Sequence, residues 1–186
     1  MSGRHTTGVD SRCSGCGLVP RLCLCAEVRS VHNELPVIVV RHVRERTRGS
    51  NTGRLVLLTL ENAELVEIGA PDAPPVDPTR FEGMGVLWPD GPASVEDVSG
   101  LVVVDATWRQ AYKMRLRVPG LAALPRVGLV GGERPRMRRQ NAPGRMATAE
   151  AVAMALGCEE LERVFAMHVE RMARSRGKGG RGATER

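Results

Sequence analysis

Aromatic side chains make up only 3% of this sequence of 186 residues, two Trp, one Tyr and two Phe. A core of stacked rings is thereby excluded. Val, Leu, Ala and Met must fill the interior, and Trp88 and Trp108 become candidates for a specific task. Long apolar runs are missing as well: none approaches the roughly 20 residues a membrane-spanning helix requires, so no membrane partner is expected. Residues 1–10 are polar and contain no apolar stretch of the secretory kind, which makes a cytoplasmic location the expectation. No G-x-G-x-x-G follows the first apolar run and no G-x-x-x-x-G-K-[ST] occurs. Those absences remove the standard dinucleotide cradle and the P-loop, and with them the usual routes to hydride transfer and ATP hydrolysis. No internal repeat is present.

The length suits one ordinary domain with small appendages, and an apolar fraction of 42% is enough for a core. A formal charge of +6 and a pI near 9.6 favour polyanionic partners, because bound cations release counterions from a phosphate backbone. Arg dominates that charge. Its planar fork pairs with phosphates and stacks on bases, which suits RNA better than compact Lys would.

Four of the five cysteines fall in one short stretch, Cys13, Cys16, Cys23 and Cys25, spaced C-x2-C-x6-C-x-C. In a cytosolic chain clustered thiols of this spacing point to a tetrahedral metal, most often zinc, rather than to disulfides. Gly15, Gly17 and Pro20 permit the turns of such a knuckle. Cys158 lies apart in a helical run and reads as a small buried hydrophobe.

From Pro36 onward the pattern alternates strand and helix. Residues 36–40 (PVIVV) and 101–104 (LVVV) read as buried parallel strands, with shorter ones at 64–68, 85–88 and 126–130. Helices are expected after a cap at Asn51 or Thr52, over 108–118 until Pro119-Gly120, over 150–156 behind a Thr148 cap, and over 159–174. The last places Leu161, Val164, Phe165, His168 and Met172 on one apolar stripe, so His168 is expected to be a core side chain. The expected organisation is a knuckle over residues 1–30, a catalytic domain over 31–173 and a disordered Gly-rich basic tail over 174–186.

In such folds ligands collect beyond the carboxyl ends of the strands. Three loops belong there: residues 42–54, 88–91 and 105–113. Asp105 follows four apolar strand residues directly, where burial raises a carboxyl pKa and a nearby Arg109 or Lys113 lowers it. It is a candidate base, and equally a candidate cap for the helix that follows.

Asp105-Ala106-Thr107-Trp108, continued by Arg109-Gln110-Ala111-Tyr112-Lys113-Met114, resembles the D-x-T-W signature of the DTW-domain family. The cysteine cluster resembles that family's metal knuckle, and the segment His42-x2-Glu45-x2-Arg48-Gly49-Ser50-Asn51-Thr52-Gly53-Arg54-Leu55 is similar to its H-x2-E-x2-R-x-[ST]-N-T-G-R-L block. Thr148-Ala149-Glu150-Ala151 is similar to its late [ST]-x-E-[AV] element. The sequence departs from the pattern at Tyr112, where a basic residue is common, and over 131–139, which lacks a Ser/Tyr-containing lead-in to its arginines.

The resemblance implies a SPOUT-like α/β sheet with helices on both faces, whose C-terminal region can be knotted, plus the small N-terminal zinc knuckle. It implies a tRNA-uridine aminocarboxypropyltransferase that uses S-adenosyl-L-methionine, with no obligate protein partner. Asp105, Thr107 and Trp108 are then the catalytic candidates. Asn51, Thr52, Gly53, Arg54, Leu87, Trp88, Pro89, Thr148 and Glu150 are the cofactor-binding ones. Arg48, Arg109, Lys113, Arg136, Arg138 and Arg139, with Arg145, are the candidate RNA contacts, and Cys13, Cys16, Cys23 and Cys25 the metal ligands. Two alternatives stand beside this reading, a SPOUT-type RNA methyltransferase and a non-enzymatic zinc-knuckle RNA-binding module.

Overall fold

The computed structural model describes residues 12–71, 73–129 and 146–175. Five strands form one parallel sheet: β1 (Val37–His42), β2 (Ala63–Ile68), β3 (Gly85–Leu87), β4 (Leu101–Asp105) and β5 (Arg126–Val127), in the order β2-β1-β4-β3-β5. The β-branched runs of β1 and β4 are adjacent at its centre, Val37 opposite Leu101 and Val40 opposite Val104. Parallel strands are covered on both faces, which is why these two read as unbroken apolar runs.

Alternate residues of β1 feed two separate cores. Val37 and Val39 point to a face covered by α1 (Gly53–Thr59), α3 (Thr148–Leu156) and α4 (Glu159–Ser175). Ile38 and Val40 point to the other, covered by α2 (Trp108–Arg117) and the 3-10 turns Pro78–Phe81 and Leu121–Ala123. Each Val or Leu buried in this way contributes about 1.5–3 kcal/mol relative to exposure. α4 buries Leu161, Val164, Phe165 and His168 at helical spacing and begins with Glu159, Glu160 and Glu162, which favour the positive end of its dipole.

Two strands differ from expectation by more than one residue at an end. β1 continues past Val40 through Arg41 and His42, because Arg41 stands in register between Glu67 of β2 and Asp105 of β4, partners that let a cation enter the sheet. β5 is only two residues long, since its neighbour β3 offers a ladder of three.

The strand order positions the site. After β1 the chain crosses to β2 on one side, and after β4 it crosses over β3 to β5 on the other. The carboxyl ends of β1 and β4 therefore flank a topological switch point, the place where open α/β sheets bind ligands.

Candidate active site

Asp105, the last residue of β4, is 4% exposed, and both of its carboxylate oxygens are occupied. Asn51 Nδ2 donates to Oδ2 at 2.5 Å, and the Thr148 hydroxyl donates to Oδ1 at 2.8 Å. Burial pushes the carboxyl above its usual range, against the opposing pull of Thr148, Asn51, the charge of Arg41 and the Gly53 N–H. The helix after β4 is capped instead by Thr107, whose hydroxyl accepts from the Gln110 N–H at 3.4 Å while Gln110 Oε1 accepts from the Thr107 N–H at 3.2 Å. Asp105 is thus free of that local duty and turns to residues remote in sequence.

Three segments converge on it. The loop before α1 brings Asn51, whose Oδ1 also accepts the Arg54 N–H at 3.4 Å and so restrains the first turn of the helix. Gly53 lets that turn approach Asp105 closely. The start of α3 brings Thr148, which is the first residue of the helix rather than its cap; Ala147 holds the cap position. Thr52 joins the two helix starts, its hydroxyl accepting the Ala149 N–H at 3.3 Å, and Glu150 accepts the Ala147 N–H at 3.2 Å.

Beside this buried polar group opens a cleft. Leu87, Trp88, Pro89, Trp108 and Thr148 line it, together with residues not among the site candidates: Ala106, Ala111 and Ala151 of the motifs, and Val103, Val104, Leu129, Met146 and Ala147. The two indoles meet edge to face, ring centres 6.0 Å apart, and the Arg115 guanidinium lies 5.5 Å from the centre of the Trp88 ring. A concave, largely apolar surface with a few directed polar groups has the character of a small-molecule site. Ala111 and Ala151 signalled it faintly, as small residues in the first turns of helices that start at the crevice.

Asn51, Thr52, Gly53, Arg54, Asp105 and Glu150 are buried and do not line the cleft. Thr148 links the two groups. Arg54 is 9% exposed and donates to the Arg46 carbonyl at 2.7 Å, and its guanidinium fills the space beside Gly17, whose positive φ of 74° and lack of a side chain admit it. Arg48 is exposed and pairs with the buried Glu45 at 3.5 Å. Arg109 and Lys113 stand on the outer face of α2. Arg136, Arg138, Arg139 and Arg145 lie outside the described residues.

The four clustered cysteines come together in space, their sulfurs all within 4.8 Å of one another. Cys13 lies 3.5 Å from both Cys25 and Cys23, and Cys16 lies 3.7 Å from Cys23. A tetrahedral ion with metal–sulfur bonds of about 2.3 Å needs edges of about 3.8 Å, so the donor set can hold a metal ion. The backbone N–H of Cys16 holds the Cys13 thiol down to about 6, while burial and the neighbouring thiols push Cys25 up and Cys23 is raised as well; a bound cation would draw all of them towards thiolate. The lobe is anchored on the main core: Cys16, Leu18 and Leu24 are fully buried beside Leu55 and Phe165, and Arg171 of α4 donates to the Cys23 carbonyl at 2.7 Å.

Among the described residues no helix is long and apolar enough to cross a membrane. A family model described as the DTW domain matches residues 10–173. Searches of curated proteins and of solved structures return no match.

Proposed function

Because the chain belongs to the DTW-domain family, which includes tRNA-uridine aminocarboxypropyltransferases, we propose that it transfers the 3-amino-3-carboxypropyl group of S-adenosyl-L-methionine to N3 of a uridine in tRNA. The observation that carries this reading is the Thr148 hydroxyl, which lines the cleft and donates at 2.8 Å to the buried Asp105. A proton leaving the cleft through Thr148 has a carboxylate waiting for it.

In this reaction the N3–C bond forms, the bond from that carbon to the sulfonium breaks, and its electron pair neutralises the sulfur as methylthioadenosine leaves. The N3 proton passes to Asp105 by way of Thr148. Burial makes Asp105 a stronger base than a solvated carboxylate, which brings its pKa nearer to the working range of a general base. A sulfonium offers three carbons, so the cleft selects the product by which one it presents in line. Trp88, Trp108, Leu87 and Pro89 supply apolar walls for the adenosine, and the indoles supply stacking. Thr107 keeps the first turn of α2 in place beneath Trp108. Asn51, Gly53 and Thr52 hold the Asp105–Thr148 pair, Glu150 secures the start of α3, and Arg54 braces the loop.

We read the parallel sheet as SPOUT-like, a reading its β1/β4 switch point supports; the C-terminal region of such a sheet can be knotted, and residues 130–145 between β5 and α3 lie outside the described set. Residues 1–30 serve as a knuckle, with Cys13, Cys16, Cys23 and Cys25 holding zinc; the ion's contribution is to close the lobe. Residues 31–173 form the catalytic unit; of the expected tail, Arg174 and Ser175 close α4 and residues 176–186 lie outside the described residues; the protein acts on tRNA in the cytoplasm. S-adenosyl-L-methionine labelled separately in its methyl and carboxyl carbons tests the proposal. Carboxyl label appearing in tRNA is expected; methyl label in its place makes the protein a methyltransferase, and no label in RNA leaves a binding module.

A further inference from the structure

The outer face of α2 carries a cationic and aromatic stripe. Arg109, Tyr112, Lys113, Leu116 and Arg117 are all exposed and recur at helical spacing, so they form one ridge about 12 Å long. Tyr112 is 59% exposed and Leu116 53%, large apolar surfaces that a chain with one Tyr has placed in water. The helix contains no acidic residue. Among the described residues no ion pair engages Arg109, Lys113 or Arg117, three cations on one helix face, whereas the other long helix pairs its own: Arg163 with Glu160, Arg171 with Glu27 and Arg174 with Glu170. The ridge starts where the cleft ends, since Trp108 and Ala111 of the same two turns line the cleft.

We infer that this ridge is the docking surface for the RNA strand that flanks the modified uridine: a base neighbouring the target stacks on Tyr112, with Leu116 beneath it, while Arg109, Lys113 and Arg117 track the phosphates. The chemistry of single-strand recognition is this pairing of a ring with unpaired cations, because every base offers a π-face and every nucleotide a negative charge. A target base turned into the cleft leaves its neighbours at the mouth, where the ridge begins. Charge complementarity favours RNA over a segment of the chain itself: residues 131–145 carry Arg134, Arg136, Arg138, Arg139 and Arg145, of the same sign as the ridge. The inference rests on the proposed tRNA substrate and identifies the face of the protein that meets it.

Binding of 3′-fluorescein-labelled bulk tRNA to the full chain, measured by anisotropy over a range of salt, provides the test. Tyr112→Ala is expected to weaken binding about tenfold and Tyr112→Phe to retain it, since stacking needs the ring and not the hydroxyl. Arg109→Gln combined with Lys113→Gln is expected to lower the slope of log Kd against log salt by about 2, roughly one for each phosphate no longer neutralised. Thermal melting and S-adenosyl-L-methionine binding should be unchanged in all three proteins. Unaltered tRNA affinity and salt slope would overturn the inference. So would a wild-type dimer that Leu116→Glu converts to monomer while tRNA affinity holds, which would make the ridge an interface between copies. These readouts involve no transfer chemistry, so weakened tRNA binding supports the ridge even where the labelled-substrate assay rejects the proposed reaction.

Discussion

A β-carbon on Gly53 would lie 2.4 Å from Asp105 Oδ2 and 3.0 Å from Val39 Cγ1, closer than side-chain atoms approach one another. The first turn of α1 can therefore sit against the buried carboxylate only because residue 53 has no side chain. Gly53→Ala removes this fit although Ala is the better helix former by about 1 kcal/mol. The expected result is lower stability, with the transfer rate reduced by about a hundredfold as Asp105 and Thr148 are displaced. Thermal melting and single-turnover kinetics check it; a more stable, fully active variant would show that the close approach is dispensable.

Asp105 gives a pH prediction whose sign follows from its environment. Burial raises its folded pKa above the unfolded value, so the folded state binds the proton more tightly, and stability falls as pH rises through that interval. Asp105→Asn removes the buried charge while keeping an acceptor for Asn51. The variant should melt higher than wild type at pH 7 to 8, with the gain shrinking towards acid, and should lose activity by about 10²–10⁴-fold. Melting curves across pH, paired with initial rates, separate the two effects.

The only two indoles of the chain both line the cleft. Intrinsic fluorescence should then report ligand entry without any label. Titration with S-adenosyl-L-methionine is expected to change emission in wild type, and Trp88→Phe and Trp108→Phe should each remove part of the response. A flat titration, with binding seen by calorimetry, would place the cofactor elsewhere.

Metal removal should act on the whole fold, because Cys16, Leu18 and Leu24 are buried in the same core as Leu55 and Phe165. Purified protein is expected to hold about one zinc per chain, and a chelator to lower its melting temperature in proportion to the binding energy withdrawn. Cys13→Ser should mimic chelation. Elemental analysis that finds no metal in protein never exposed to chelator would contradict this.

Thr107 separates capping from catalysis. Its hydroxyl accepts from the Gln110 N–H and is exposed, away from the cleft wall. Thr107→Ala should cost about 1 kcal/mol of stability and Thr107→Ser almost none. If activity follows stability in both variants, the residue works through the helix; a large loss of kcat at unchanged stability would give it a direct part.

Much of this architecture is legible locally. The runs PVIVV and LVVV stand out because a strand covered on both faces needs unbroken apolar residues, and the stripe of α4 stands out because one helix face must be buried. Local spacing misplaces Thr148 by one position: as the first residue of α3 rather than its cap, it is released from the helix terminus and can turn to Asp105. Arg41 escapes a reading of the sequence because a cation at a strand end looks solvent-facing until its partners on two neighbouring strands are known.

The amino-acid order by itself determined the parallel strands, the helix faces, the cysteine cluster and the position of Asp105 at a strand tip, since each depends on periodicity or spacing over a few residues. Only the tertiary structure decided that Asp105 lies under Thr148, 43 residues away, and beside Asn51, 54 away, and that two tryptophans meet across one cleft. Those meetings follow from the strand order β2-β1-β4-β3-β5, which brings remote loops to one edge and which no short-range pattern encodes.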